Sequence, residues 1–241
     1  MGYLYYTFFY QPLFNILIFF YQTVAFHDLG LAIVFLTLLI RLILFPVFQK
    51  SVRNQTIMQQ LQPKLEKIKK DHKKDPIKQS QATMDLYREH RINPFSGFLF
   101  LLIQLPILIA LYQIFKTSVT GELLHGLYSF IQAPREINTY FLNLIHLDKT
   151  SIILVGLAAL TQYIQARLSL PKQTADQSFA GRMGRQMLFI GPVITLVFLW
   201  YLPAAIGLYW LTTTAFSIFQ QIIVNRQLKN GKLGIIYKET N

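Results

Sequence analysis

A single charge inside a long apolar run is the feature that most constrains how this chain can fold. Residues 29–48 read LGLAIVFLTLLIRLILFPVF, which as a helix is long enough to cross a bilayer core of about 30 Å. Arg41 is the only charged residue in this run. An arginine at such a depth costs about 2.5–3.5 kcal/mol on insertion scales. The fold must therefore give Arg41 a compensating environment.

Composition places the chain among membrane proteins. Its 241 residues are 53% hydrophobic and carry a formal net charge of +12, as in a polytopic membrane protein with basic loops. The apolar runs argue against a basic, soluble, nucleic-acid-binding protein as the primary class. No cysteine occurs, which excludes disulfides and thiolate chemistry. The five histidines are scattered and no catalytic or phosphate-binding motif occurs, so we expect no metal site, no cofactor and no enzyme activity.

The apolar runs predict an all-α integral membrane protein with five transmembrane helices. The last two runs come from a stretch of forty uncharged residues, in which the Leu202–Pro203 step supplies a turn. Residues 1–28 are rich in aromatics and lack the basic start of a cleavable signal peptide. We expect them to form an extracytoplasmic interfacial helix, the alternative being a sixth span. The five predicted spans are residues 29–48, 94–115, 150–167, 187–202 and 204–224.

Basic residues fall almost entirely on one side of this arrangement. Nineteen Lys and Arg lie in residues 49–92, 167–185 and 226–241, against three in residues 1–28 and 116–149. Because positive loops stay in the cytoplasm, we expect the N-terminus outside and the C-terminus inside. The extramembrane segments are then an extracytoplasmic loop (residues 116–149) and, in the cytoplasm, residues 49–93, 168–186 and 225–241.

The first cytoplasmic segment, residues 49–93, has the pattern of a basic helical hairpin. Ile57, Leu61, Leu65 and Ile68 recur at spacings of three and four, the period of an amphipathic helix. The Asp75–Pro76 step interrupts this helix, and a second one is expected from about residue 77 to residue 90. The alternative is a solvated charged loop without a partner.

The spans offer Arg41 uncharged polar groups but no carboxylate. Thr37 lies one turn away, and Gln104 marks the second span. The third and fifth spans carry polar faces at helical spacing: Thr161, Gln162 and Gln165, and Tyr209, Thr213, Ser217 and Gln220. These groups could be interhelical hydrogen-bonding groups, with Arg41 snorkelling to the cytoplasm. Alternatively they line a hydrated groove, open to cytoplasm and lipid, that holds a polar peptide segment part-way across the membrane.

Several motifs resemble the YidC/Oxa/Alb family of membrane protein insertases. They are LIRLILFPVFQKS (39–51), INPFSGFLFLLIQLPILIALYQIF (92–115), QYIQARLS (162–169), FLWYLPAAIGLYWL (198–211) and FQQ (219–221). The resemblance implies insertion of newly made proteins into the bacterial inner membrane, alone or beside the Sec translocon. It assigns Arg41, Gln165 and Trp210 to a substrate groove. The large extracytoplasmic domain of Gram-negative members has no counterpart in the sequence, so a short form is expected.

The resulting hypothesis is an insertase that transfers polypeptide without bond chemistry. Its expected partners are nascent membrane proteins, the ribosome, the Sec translocon, the signal recognition particle receptor and membrane lipids. A small-anion transporter and a structural membrane scaffold are the alternatives. The predicted groove residues are Arg41, Gln165, Trp210, Gln162, Thr37, Gln104, Thr213 and Ser217. The predicted ribosome or partner contacts are Lys69, Lys70, Lys73, Lys74, Arg226, Lys229 and Lys232.

Overall fold

The computed structural model describes residues 2–93, 96–120, 126–169 and 179–230. These residues are mainly helical, as predicted, with one two-stranded antiparallel hairpin, β1 (Tyr140–Phe141) and β2 (Ile145–His146). A π-helical stretch, Tyr6–Tyr10, joins the first two helices. The helices are α1 (Tyr3–Tyr5), α2 (Gln11–Thr23), α3 (Leu29–Ile43), α4 (Phe45–Gln60), α5 (Gln62–Asp71), α6 (Pro76–Glu89), α7 (Ser96–Thr120), α8 (Ile152–Ser169), α9 (Phe179–Trp200) and α10 (Ala204–Lys229).

The core of the bundle lies between α2, α3, α7, α8 and α10. It is filled by fully buried aliphatic side chains such as Ile33 of α3, Leu111 of α7, Leu154 of α8 and Ile206 of α10. Outside this core, α8 and α9 present rows of exposed apolar side chains: Ile153, Leu157 and Leu160 on α8, and Val193, Ile194 and Val197 on α9. A bundle that is apolar on its outer surface matches a lipid environment.

The predicted first span, residues 29–48, is not one helix, and that prediction is corrected here. α3 ends at Ile43, and α4 begins at Phe45 with its axis turned by 74°. Pro46 occupies the first turn of α4, where its missing N–H group is tolerated and its fixed φ favours a helix start. Arg41 therefore lies in the last turn of α3 rather than within a continuous span.

Among the described residues, one helix is by itself long and apolar enough to cross a membrane, namely Ile152–Ser169. The bent pair Leu29–Ile43 and Phe45–Gln60 meets the same criterion when taken together, and Leu102–Lys116 and Leu188–Trp200 are shorter apolar stretches. The five-span arrangement therefore stays a prediction.

The turn between α9 and α10 is closed by the segment that precedes α8. The N–H groups of Ala204 and Ala205, which have no partner inside α10, donate to Lys149 O at 2.8 Å and Leu147 O at 3.0 Å. Thr150 Oγ1 donates to Trp200 O and Leu202 O. The chain thus turns at the predicted Leu202–Pro203 step. There the segment before α8 contacts the end of α9 and the start of α10.

α5 and α6 pack against each other beside the end of α4. Ile57, Leu61 and Leu65 from the predicted apolar stripe are buried with Leu86 and Ile92, while Ile68 is partly buried. Asp75 caps α6 by accepting a hydrogen bond from Lys78 N at 3.0 Å, and Pro76 occupies the first helical position. The predicted interruption at Asp75–Pro76 is present, although the first arm is divided between α4 and α5.

The N-terminal helix α2 is held along its length by residues 126–142. Buried Asn15 donates to Gly126 O at 2.9 Å and accepts from Tyr128 N at 2.7 Å. The hydroxyl of Tyr21 accepts from Asn138 N at 2.8 Å. At the end of the helix, Asp28 caps α3 and also accepts from Leu142 N. Gly30 of α3 lies against Phe141 so closely that any Cβ at position 30 would overlap its side chain.

Candidate functional site in the helical bundle

Arg41 is enclosed within the bundle, and only 2% of it is exposed. Its guanidinium carbon lies 4.4 Å from the centre of the Phe48 ring, a distance at which a cation is attracted by the aromatic face. Phe48 belongs to α4, so the bend after α3 brings this ring onto the guanidinium. The predicted groove around Arg41 is therefore closed at this point by a side chain of α4.

Two other helices contribute polar groups close to Arg41. Tyr209 of α10 is buried and lies within electrostatic range of the guanidinium. Its hydroxyl oxygen accepts a hydrogen bond from Gln104 Nε2 of α7. Thr37 lies one turn before Arg41, but its hydroxyl donates to Ile33 O of its own helix at 2.6 Å. We name Arg41, Thr37, Gln104 and Tyr209, together with Thr213 one turn after Tyr209 on α10, the Arg41 cluster.

The remaining predicted groove residues on α10 lie at helical spacing from Tyr209. Thr213 follows it by one turn on the same face, and Ser217 follows Thr213 by another turn. The Ser217 hydroxyl donates to Thr213 O at 2.9 Å. The Ser217 hydroxyl therefore donates its hydrogen bond within α10. The Thr213 side chain extends the face of α10 on which Tyr209 lies near Arg41.

Gln162 and Trp210 belong to a second cluster rather than to the surroundings of Arg41. Gln162 Oε1 of α8 accepts hydrogen bonds from Trp210 Nε1 at 3.1 Å and from Thr195 Oγ1 of α9. Gly191 of α9 makes room for this amide, since a Cβ there would lie 3.0 Å from Gln162 Nε2. We name Gln162, Thr195 and Trp210 the Gln162 cluster. The single predicted groove is thus divided between two sides of α10.

Gln165 joins neither cluster through the hydrogen bonds of the described residues. Its side chain is half-buried one turn beyond Gln162, and its backbone carbonyl accepts from Ser169 Oγ at 3.0 Å. The groove role that the family resemblance assigns to Gln165 stays a prediction.

A hydrogen-bond network that the sequence interpretation did not identify fastens α4 to the ends of α8 and α10. Gln221 Nε2 donates to Thr56 Oγ1 of α4 at 2.8 Å and to Asn225 Oδ1 at 3.0 Å. Gln221 Oε1 accepts from Ser169 Oγ at 2.8 Å, and Asn225 Nδ2 donates to Leu168 O at 2.7 Å. The FQQ motif contains Gln221, but nothing in its spacing indicates which helix it contacts.

Two buried amides on α4 and α10 have no hydrogen-bond partner in the described part of the chain. They are the side chains of Gln220 on α10, which is 0% exposed, and of Gln49, which directly follows Phe48 on α4. Leaving a buried polar group unsatisfied costs about 1–3 kcal/mol. Bound water normally satisfies such groups. The interior beside α4 and α10 is therefore suited to hold water.

The predicted partner-contact residues lie on two exposed surfaces. Lys69 and Lys70 end α5, and Lys73 and Lys74 occupy the turn before α6; all four are exposed. We name these four residues the lysine tip. Arg226 and Lys229 are exposed in the last turns of α10. Lys232 lies outside the described residues.

Comparison with known proteins gives the chain a family. The family model described as "60Kd inner membrane protein" matches residues 19–231. Proteins named "Membrane protein insertase YidC" are 32% identical over 220 residues in Magnetococcus marinus, 34% over 241 residues in Caulobacter vibrioides and 32% over 210 residues in Oceanobacillus iheyensis. The matches cover 91%, 93% and 84% of this chain. They span 36% and 37% of the first two relatives and 77% of the third.

Proposed function

Because the chain belongs to the 60Kd inner membrane protein family, we propose that it inserts newly made membrane proteins into the bacterial inner membrane. The names of its relatives describe those proteins as membrane protein insertases. The observation that carries the proposal is a guanidinium buried at the end of α3 with polar side chains of α7 and α10 around it.

The five predicted spans form the scaffold of this function. Nineteen of the basic residues fall in the segments assigned to the cytoplasm, which supports an outside N-terminus and an inside C-terminus. The hydrogen bonds between α2 and residues 126–142 support an interfacial position for the N-terminal helix. Exposed Tyr3, Phe8 and Phe26 are aromatic residues of the kind that anchor at a membrane surface.

In the proposed mechanism, the hydrophilic end of a nascent protein enters from the cytoplasm and binds beside Arg41. An acidic or carbonyl-rich segment makes charge-assisted hydrogen bonds to a guanidinium, which lowers the cost of bringing its polar groups into the bilayer. Gln49 and Gln220 supply further donors and acceptors, for water or for the segment. The apolar part of the substrate then moves into lipid along α3, α8 and α10.

The proposed partners follow from the charged surfaces. The lysine tip and the exposed basic residues at the end of α10 are suited to polyanionic ribosomal RNA. The Sec translocon, the signal recognition particle receptor and membrane lipids complete the proposed set. An anion transporter would be favoured by broken helices at matching positions in two halves. The described residues contain a break between α3 and α4, but α7, α8 and α10 run unbroken through their described ranges and supply no matching break.

The test is complementation of cells depleted of their native insertase. The readout is insertion of a single-span substrate with a short acidic translocated tail. Arg41→Ala should lower insertion about tenfold, since a hydrogen bond to a charged group contributes about 1.5–3 kcal/mol. Arg41→Lys should retain most of the activity, and Arg88→Ala, at an exposed site on α6, serves as the control. Failure of the wild-type chain to restore insertion would contradict the proposed function. Normal insertion by stably folded Arg41→Ala would contradict only the role of Arg41.

A further inference from the structure

The ring of Phe48 covers the guanidinium that the proposed function requires a substrate to reach. Phe48 is 0% exposed and Arg41 is 2% exposed, with 4.4 Å between the guanidinium carbon and the ring centre. The covering residue comes from α4, whose axis is turned by 74° from that of α3 across Leu44. Access to Arg41 and the position of α4 are therefore coupled.

α4 packs against α7 and α10 and buries Phe48, Val52 and Ile57. Thr56 accepts from Gln221 at 2.8 Å, and the Phe45 ring meets Phe216 edge-on with 6.3 Å between ring centres. Next to Phe48, the amide of Gln49 is buried without a hydrogen-bond partner among the described residues. Burial of this amide opposes the seated position of α4, because the side chain would be hydrated if α4 moved outwards.

We propose that Phe48 gates the Arg41 site: its ring holds the place of the incoming polar segment, and α4 pivots at Leu44 to withdraw it. This inference rests on the proposed function, since it concerns the same site. Leu44 lies between the two helices with φ −90° and ψ 8°, and Pro46 has no N–H to donate back to α3. A pivot at Leu44 acts on the two backbone hydrogen bonds that meet at this residue, from Leu44 N to Ile40 O and from Phe48 N to Leu44 O, each 3.0 Å long.

The chemistry of the contact defines what can open the gate. A cation–π contact in a desolvated site shifts a population ratio by about 30-fold, so the ring stabilises the closed position. A carboxylate makes charge-assisted, bidentate hydrogen bonds to a guanidinium and can replace this contact, whereas an apolar side chain has no hydrogen-bond acceptor with which to replace it. The gate therefore yields to acidic or carbonyl-rich segments and stays closed to apolar ones.

Thiol accessibility tests the gate without relying on insertion. The chain has no cysteine, so Thr37→Cys gives a single reporter at a position that is 1% exposed and one turn from Arg41. Membrane vesicles with the cytoplasmic face outward are treated with an anionic, membrane-impermeant methanethiosulfonate. Adding Phe48→Ala should raise the labelling rate about tenfold or more. Phe48→Leu keeps the apolar bulk but lacks the ring, so adding it should raise the labelling rate by a smaller factor. If the Phe48→Ala variant fails to fold, the labelling rate of Phe48→Leu decides the outcome.

Gln55→Ala is the matched control, because Gln55 lies on the same helix but is exposed. It should leave the labelling rate of the reporter unchanged. An unchanged rate in both Phe48 variants, or an equal rise with Gln55→Ala, would overturn the gate. In the complementation assay, on an otherwise wild-type chain, Phe48→Ala should insert the acidic-tailed substrate at least as fast as the wild type. Slower insertion at equal protein level would also overturn it, whereas failure of the wild type to insert would contradict the proposed function alone.

Discussion

Gln162 joins three helices through one oxygen atom. Its Oε1 accepts from Trp210 on α10 and from Thr195 on α9, and Thr195 is only 1% exposed. Because Thr195 is buried, loss of the acceptor leaves its hydroxyl without this partner, and the Trp210 N–H loses the same partner. Gln162 is therefore expected to contribute to stability as well as to the polar interior.

Replacing this residue should destabilise the protein. Gln162→Leu is expected to lower the free energy of unfolding by about 1–2 kcal/mol, in the range found for hydrogen bonds between membrane helices. The measurement is the thermal unfolding midpoint of the protein in detergent. Gln81→Leu on the exposed surface of α6 is the control and should have little effect. Equal midpoints for Gln162→Leu and the wild type would show that the three-helix contact contributes nothing to stability.

At the residue scale, the sequence identified the polar side chains but not their grouping. Tyr209 and Trp210 are adjacent, yet successive helix positions point about 100° apart, so one faces Arg41 and the other faces Gln162. Helical spacing alone does not reveal which neighbouring helix each face meets. The contact between Phe48 and Arg41 was missed because residues 29–48 were predicted as one continuous helix.

At the element scale, that error has a definite source. The apolar run continues past residue 43, and hydropathy alone gives no reason for a break. Pro46 was the available signal, because proline favours the first turn of a helix and disfavours its interior. The division at Asp75–Pro76 was predictable for the same reason, since Asp75 caps α6 and Pro76 starts it.

The lysine tip at the α5–α6 turn leads to a prediction about the ribosome. Replacing Lys69, Lys70, Lys73 and Lys74 together by Gln should weaken ribosome co-sedimentation at low salt about tenfold or more and reduce its salt dependence. Replacing the same four residues by Arg keeps the charge and should preserve binding. The tip would not be a ribosome contact if the Gln variant co-sedimented with the ribosome as strongly as the Arg variant at every salt concentration.

At the scale of the whole molecule, many apolar side chains lie on the outer surface and several polar side chains lie in the interior, unlike in a water-soluble protein. Exposed aliphatic residues cover α8 and α9, while Arg41, Gln220 and Gln221 are buried. The all-α class followed from composition and the apolar runs, and both are independent of tertiary contacts. The closure of the Arg41 site did not follow, because it depends on how α4 packs across the bundle.

The most direct test of the account is to trap a substrate beside the Arg41 cluster. A photoreactive residue is placed at Gln104 or Thr213, or at lipid-facing Val193 of α9, which is 54% exposed. Each variant is illuminated with a ribosome-arrested nascent chain whose acidic tail is part-way inserted. Adducts with the tail are expected from positions 104 and 213, lost when Arg41 is replaced by Ala, and none from position 193. Adducts from position 193 without any from 104 or 213 would contradict it.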